Sequence, residues 1–400
     1  YRGAVPRGYR FDVKAEFRSA TEESPTPGVH MSVSVTKSSG LRALGASVLI
    51  VAAAVGMSNP AEAAVDHVGW VWADNPTQTT PYPAPAGYSY SSVGGAMTIT
   101  RNTTGSYTVS FAKLYSAGGT SDVQVTAYET SGYCMIEDWG TTGKTVNADV
   151  LCFSAAGAPA DTEFNLLFQE RFSTFGSYAA GLAFLWANEP TTASYTPAAN
   201  YQYNSQGGTN TITRSGTGEY IADIPDLDPK RGDVQVTAYG SVAARCKVAS
   251  WYADGSTGTD VSVVCFNSAG AAADEKFDLA YAVNESFGRT TTAASTGAWV
   301  YAELPTSTAS YTPTKAYQYN GFATGELTAE ETDKGNYAVT IPGSPTYSDS
   351  DVLVTAYGSD NGYCNSAGWS VSDSTLYVAC FKQGGAPASR VFDAGYQTAK

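Results

Sequence analysis

One seven-residue string occurs three times. Asp122-Val-Gln-Val-Thr-Ala-Tyr128 returns as Asp233-Val-Gln-Val-Thr-Ala-Tyr239 and as Asp351-Val-Leu-Val-Thr-Ala-Tyr357. Other landmarks keep step. Trp72 and Pro76, Trp186 and Pro190, and Trp299 and Pro305 open the copies. A Tyr-x-Tyr follows at Tyr88/Tyr90, Tyr201/Tyr203 and Tyr317/Tyr319. Cys134/Trp139, Cys246/Trp251 and Cys364/Trp369 come later, and Cys152-Phe153, Cys265-Phe266 and Cys380-Phe381 close the pattern. The period, 111 residues and then 118, is too long for a solenoid unit and suits a domain. Expected boundaries are 64–173, 181–287 and 298–400, each about 105 residues and long enough for its own core.

Within a copy the pattern alternates. Val234, Val236 and Ala238 share one face of a strand, and Gln235, Thr237 and Tyr239 the other. Turn signals such as Gly207-Gly208 and Gly216–Gly218 separate short strands, and tyrosine (27) outnumbers phenylalanine (15). We read seven or eight strands per copy and no helix. The expected fold is all-β: three tandem antiparallel β-sandwich domains, each with one intradomain hairpin disulfide.

All six cysteines lie in the repeats, two per copy, and each pair brackets a turn. The expected bridges are Cys134–Cys152, Cys246–Cys265 and Cys364–Cys380. A zinc site is a poor alternative, because two thiolates have no histidine beside them. Nor is this the immunoglobulin pattern, in which the bridge joins opposed sheets over a longer spacing.

The N-terminal region reads as targeting sequence. After Met31, Lys37 and Arg42 precede an apolar stretch, Ala43 to Met57, and then Ala61-Glu62-Ala63. This is the pattern of a secretory signal peptide over 31–63. Residues 1–30 are read as an untranslated upstream segment. The product is expected to begin at Ala64, to be secreted to the extracellular space, and to have no membrane span of its own. High glycine and alanine suit a GC-rich bacterial source.

Chemistry is bounded mainly by what is missing. The two histidines are His30 and His67, so the repeats offer no Ser-His-Asp or Cys-His arrangement and no histidine-based metal site. The aspartates shared by all copies reduce to Asp122, Asp233 and Asp351, whereas the position two before the opening proline drifts from Asp74 to Asn188 to Glu303. No carboxylate pair recurs, so no enzyme is expected, and no cofactor. Asp226, Asp228, Asp349 and Asp351 lie in or beside loops, but no spacing enforces calcium binding. Arg231-Gly232-Asp233 spells an adhesion tripeptide, for which a turn into a strand is the simpler account. The formal net charge of -14 argues against nucleic acid and anionic lipid as partners. Extracellular glycans and proteins remain.

The candidate ligand-binding residues are Trp139, Trp251 and Trp369. Each follows a core-facing cysteine by five positions, an odd offset. In an unbroken strand the indole then points away from the core and offers a stacking platform. A bulge would turn it back, and buried packing is the preferred reading. The Tyr-x-Tyr pairs are read as core packing with hydroxyls at the rim. The expected function is that of a secreted, non-catalytic, multi-domain binding or adhesion protein. A structural matrix or coat protein is the alternative, and a carboxylate-based glycoside hydrolase comes third.

Overall fold

In a computed structural model of the chain, residues 66–399 are described, apart from 117, 172–180, 231, 256, 288–294, 323–324, 345–348, 371 and 373. The expected signal peptide over 31–63, His30, the expected start at Ala64, Arg231 and most of the inter-repeat segments lie outside the described residues. Each copy folds as two facing antiparallel sheets. In the first copy one sheet joins, in order, Ser89–Ser91, His67–Ala73, Phe164–Arg171 and Thr120–Ala127. The second sheet runs Tyr133–Thr142, Thr145–Phe153, Ser106–Phe111, Met97–Thr103 and Tyr82–Pro83. The second and third copies repeat this plan, with the heptad on Gly232–Tyr239 and Ser350–Ala356. The third copy lacks only the shortest edge strand. The described residues contain two short 3-10 turns, Ala199–Tyr201 and Lys315–Tyr317, and no α-helix.

Alternation sets the cores. Val146, Ala148, Val150 and Cys152 share a face and are wholly buried, as are Val261, Val263 and Cys265. The three bridges form within hairpins, between directly opposed residues: Cys134–Cys152, Cys246–Cys265 and Cys364–Cys380. Gly105, Gly218 and Gly335 end the turns before Ser106–Phe111, Glu219–Ile224 and Asn336–Thr340, each against the carbonyl of the second cysteine of its copy. Gly218 has φ +68, and a Cβ there would stand 2.6 Å from the Cys265 carbonyl oxygen, so only glycine fits.

The heptad strands are buried on both faces. Val123 and Val125 pack into their own sandwich, while Asp122, Gln124 and Thr126, on the opposite face, are also buried. What covers the polar face is the other copies. The Val125 amide donates to Thr237 Oγ1 at 3.1 Å, the Val236 amide to Thr355 Oγ1 at 3.1 Å, and the Val354 amide to Thr126 Oγ1 at 3.0 Å. Backbone links join the same pairs of copies and donate in the opposite sense. Gly240 N donates to Ile136 O, Gly358 N to Val248 O, and Glu129 N to Ser366 O, at 2.8, 3.0 and 2.9 Å. Second binds first, third binds second, and first binds third. The three sandwiches close a ring, with their heptad-bearing sheets turned to the common axis.

Two layers fill this inward surface. Val68, Trp70, Leu167, Phe184, Phe287 and Leu353, drawn from all three copies, belong to one apolar cluster. Beside it lies a polar layer. Asp122 accepts from Gln124 and Gln169 at 3.0 Å each, Asp233 from Gln235 at 3.0 Å, and Asp351 from Gln397 at 2.7 Å. Asp278 faces Asp122, and Asp393 faces Asp233.

Sheet register also corrects one alignment. Trp72, Trp186 and Tyr301 pair with Asn165, Asp278 and Asp393, so Tyr301 is the counterpart of the first two. Trp299 instead matches Trp70 and Phe184.

Candidate functional site

The tryptophan trio came from a parity argument that assumes an unbroken strand, and each strand is broken. Register shifts fall between Ile136 and Asp138, Val248 and Ser250, and Ser366 and Gly368. One extra residue in each reverses the alternation before the indole. Trp139, Trp251 and Trp369 are half-buried, each against the next copy around the ring. Trp251 lies 4.9 Å from the Tyr301 ring and 5.3 Å from Tyr357, and its Nε1 donates to Pro229 O at 3.1 Å. Trp369 meets Trp72, Tyr88 and Tyr128 at 6.1, 5.8 and 5.7 Å, and its Nε1 donates to Ser350 Oγ. Trp139 meets Phe168 and Tyr201. The Tyr-x-Tyr pairs divide between two tasks. Tyr90, Tyr203 and Tyr319 lie over Trp70, Phe184 and Trp299, while Tyr88, Tyr201 and Tyr317 join the junction clusters. In every junction the indole contacts neighbouring aromatic rings, mostly edge to face.

The candidate aspartates are dispersed. Asp233 is wholly buried and cannot present an adhesion tripeptide. Asp351 is equally buried, Asp226 accepts from Thr257 Oγ1, and Asp228 accepts from the Lys230 amide. Among the described residues no group of three His, Cys, Asp or Glu side chains could hold a metal. His67 Nδ1 lies 3.0 Å from Glu170 at the rim of the first copy.

A cavity of about 60 Å³ opens instead where the three copies meet on the axis. Its lining includes the ring threonines Thr126, Thr237 and Thr355 and, of the residues flanking the first cysteine of each hairpin, all but Met135. Those flanking residues stand on the strand face opposite the cysteine, so they leave their own core and turn to the axis. Here the copies differ. The position before the cysteine is Tyr133, Arg245 and Tyr363, and the position after it is Met135, Lys247 and Asn365. The Arg245 guanidinium carbon sits 4.7 Å from the Tyr133 ring centre and 4.6 Å from that of Tyr363. The two rings meet edge to face, 6.0 Å apart, on one side of the cation, and a desolvated cation beside aromatic rings gains on the order of 2 kcal/mol.

Contact with the rings still leaves the N–H donors of the guanidinium to find acceptors. Nη2 reaches Gln383 Oε1, whereas Nε and Nη1 are buried without a partner, as is the Tyr133 hydroxyl. Burial lowers the Arg245 pKa, and no carboxylate offsets it. Lys247 is held by Asp360 at 2.9 Å, and Arg390 bonds the same carboxylate. Burial, with Arg390 and Arg245 nearby, brings Lys247 down to about 8 despite that bond. Burial raises the Asp360 carboxyl, but the bonds from Arg390 and Lys247 outweigh it and hold it well below the usual range. Lys247 and Arg390 therefore share one carboxylate and Arg245 adds a third cation with none, on a protein whose net charge is -14. The cavity presents donors and positive charge. It offers no nucleophile paired with a base.

Nothing in the sequence singled out Arg245, because its partners lie more than 100 residues away in two other copies. The available signal was the break in the repeat itself: one arginine where the other copies have tyrosine. The chain matches no known family model, and neither a characterised protein nor a solved structure is similar to it.

Proposed function

We propose that the protein is a secreted, non-catalytic binding protein that takes its ligand in the axial cavity. The observation that carries this reading is the charge asymmetry at the mouth of a threefold scaffold. Structural positions repeat, as the ring threonines and the cysteines do, and this one surface departs from the repeat with buried donors left unpaired. A buried donor without an acceptor costs about 1–3 kcal/mol, which a ligand returns on binding. Three disulfides suit an oxidising compartment, and among the described residues no helix is long and apolar enough to cross a membrane. The junction tryptophans hold the ring together in this reading and are not the platform.

Saturation-transfer NMR on the full chain tests it, with a panel of neutral sugars, amino acids and organic acids. Lys247→Met serves as the cavity variant. Binding that this variant weakens, with melting little changed, is the expected result. A panel that shows no binding, or binding indifferent to the variant, would overturn it.

A further inference from the structure

Three arrangements around the axis bear on what the cavity accepts. The first is electrostatic. Arg245 and Arg390 each lie close enough to repel Lys247, and Asp360 is the counter-charge of Lys247 and Arg390 alone, its side chain 59% exposed. The second is the hydrogen-bond inventory. Arg245 is 7% exposed, and two of its three nitrogens have no acceptor. The Tyr133 hydroxyl adds another unused donor. Asn365 turns its amide nitrogen away to the Thr130 and Gly132 carbonyls. The third is size. A volume of about 60 Å³ holds a few waters or one compact polar group.

A neutral hydroxyl would meet these donors but leave the charge uncompensated. A cation is refused by three cations. An aromatic or aliphatic group would bury the guanidinium edge against carbon, the costliest outcome for a charged donor. An acceptor that is small, carries negative charge and has several lone pairs satisfies all three conditions.

We infer that the axial cavity binds one small oxyanion group, a carboxylate, sulfate or phosphate, through the in-plane N–H donors of Arg245 with Lys247 beside it. The inference rests on the cavity being the ligand site and adds the chemistry of what enters it. The group is either a free anion or the terminus of a larger molecule whose remainder stays outside, past Asp360. The planar fork does what an ammonium cannot. It packs against Tyr133 and Tyr363, whose rings meet edge to face 6.0 Å apart, and Gln383 holds its Nη2, so its donor directions are set before the ligand arrives.

The test uses the full chain, with sodium acetate, sulfate and phosphate as probes. Chloride at matched ionic strength is the reference, and glucose is the neutral control. Sulfate and phosphate stabilise most proteins by exclusion from the surface, so a raised melting temperature counts only where it saturates and depends on Arg245. The direct readout is the Nε–H resonance of Arg245, assigned on the wild type. It is expected to shift saturably with at least one of the three anions and not with chloride. In Arg245→Lys, which keeps the charge, affinity by titration calorimetry is expected to fall about tenfold or more. The wild-type resonance needs no variant, so misfolding of Arg245→Lys would not protect the proposal. Acetate against sulfate and phosphate separates a carboxylate site from a tetrahedral one. A galacturonate probe that binds tighter than acetate marks the terminus of a larger molecule, and equal binding marks the free anion.

An Nε–H resonance unmoved by all three anions overturns the proposal, as does equal affinity in wild type and Arg245→Lys. If glucose binds, and Lys247→Met weakens it while no anion does, the oxyanion is wrong and the cavity stands. If no probe reaches the cavity, both fall.

Discussion

Burial of aspartate sets the response of this molecule to pH. Loss of water around Asp351 outweighs the pull of the Gln397 amide and the Val352 N–H and pushes its carboxyl up to about 7. Burial raises Asp122 and Asp233 in the same way. Asp278 and Asp393 rise well above the usual range, through burial first and then the facing Asp122 or Asp233. Arg171 is the cation that opposes this at Asp122. Folded values above unfolded ones mean stability that is complete below about pH 4 and is lost as pH rises through about 7. Asp161 and Asp274 do the reverse. Arg101 and Arg214 hold them below the usual range, so their contribution is present above about pH 4 and is lost as pH falls. Thermal melts are therefore expected to peak between about pH 4 and 6 and to fall toward pH 8. In Asp351→Asn the alkaline fall should shrink, and an unchanged profile would remove Asp351 as its source. Trp251→Ala is a second test at this scale. The indole fills a junction between copies, so its removal should cost about 3 kcal/mol as measured by denaturant unfolding. A cost below about 0.5 kcal/mol would mark a surface residue.

At the level of the strand, the limit of sequence reading is visible in the heptad. Valine alternating with Gln and Thr in 233–239 reads as a strand with one wet face, and the strand is there. Its polar face is dry because a neighbouring copy covers it, and no local pattern distinguishes water from another protein surface. The hairpins show the same limit from the other side. Cysteine spacing about a turn was enough to pair them, since the link is local. The bulge that redirects each tryptophan is a single extra residue without a glycine or proline signature in two of the three copies, so parity misled where pairing did not. Close approach at the axis leaves its own mark. A Cβ at Gly395 would stand 2.9 Å from Asp233 Oδ2, across the second and third copies. Gly395→Ala is expected to lower stability by about 1–3 kcal/mol through overpacking, read as a drop in melting temperature. The bridges should each contribute about 3 kcal/mol in the loop-closure picture. Reduction with Cys246→Ala/Cys265→Ala as reference measures that share for the middle hairpin.

Ring closure governs the whole molecule. Each sandwich has its own apolar core, but its inward sheet ends on the surfaces of two others. The full chain is therefore expected to unfold in one calorimetric transition, and a chain ending at 287 should lose stability in both remaining sandwiches. Three resolved transitions at unrelated temperatures would show beads on a string instead. The ring also bears on how such a cavity can exist at all. Three separate, identical subunits around a threefold axis must place three copies of one residue wherever the axis passes, and three arginines there would repel without phenol rings between them. Joining the copies in one polypeptide lifts that requirement. Tyrosine, arginine and tyrosine can then stand where a homotrimer would be forced to choose one, and a symmetric body acquires a single, directional mouth.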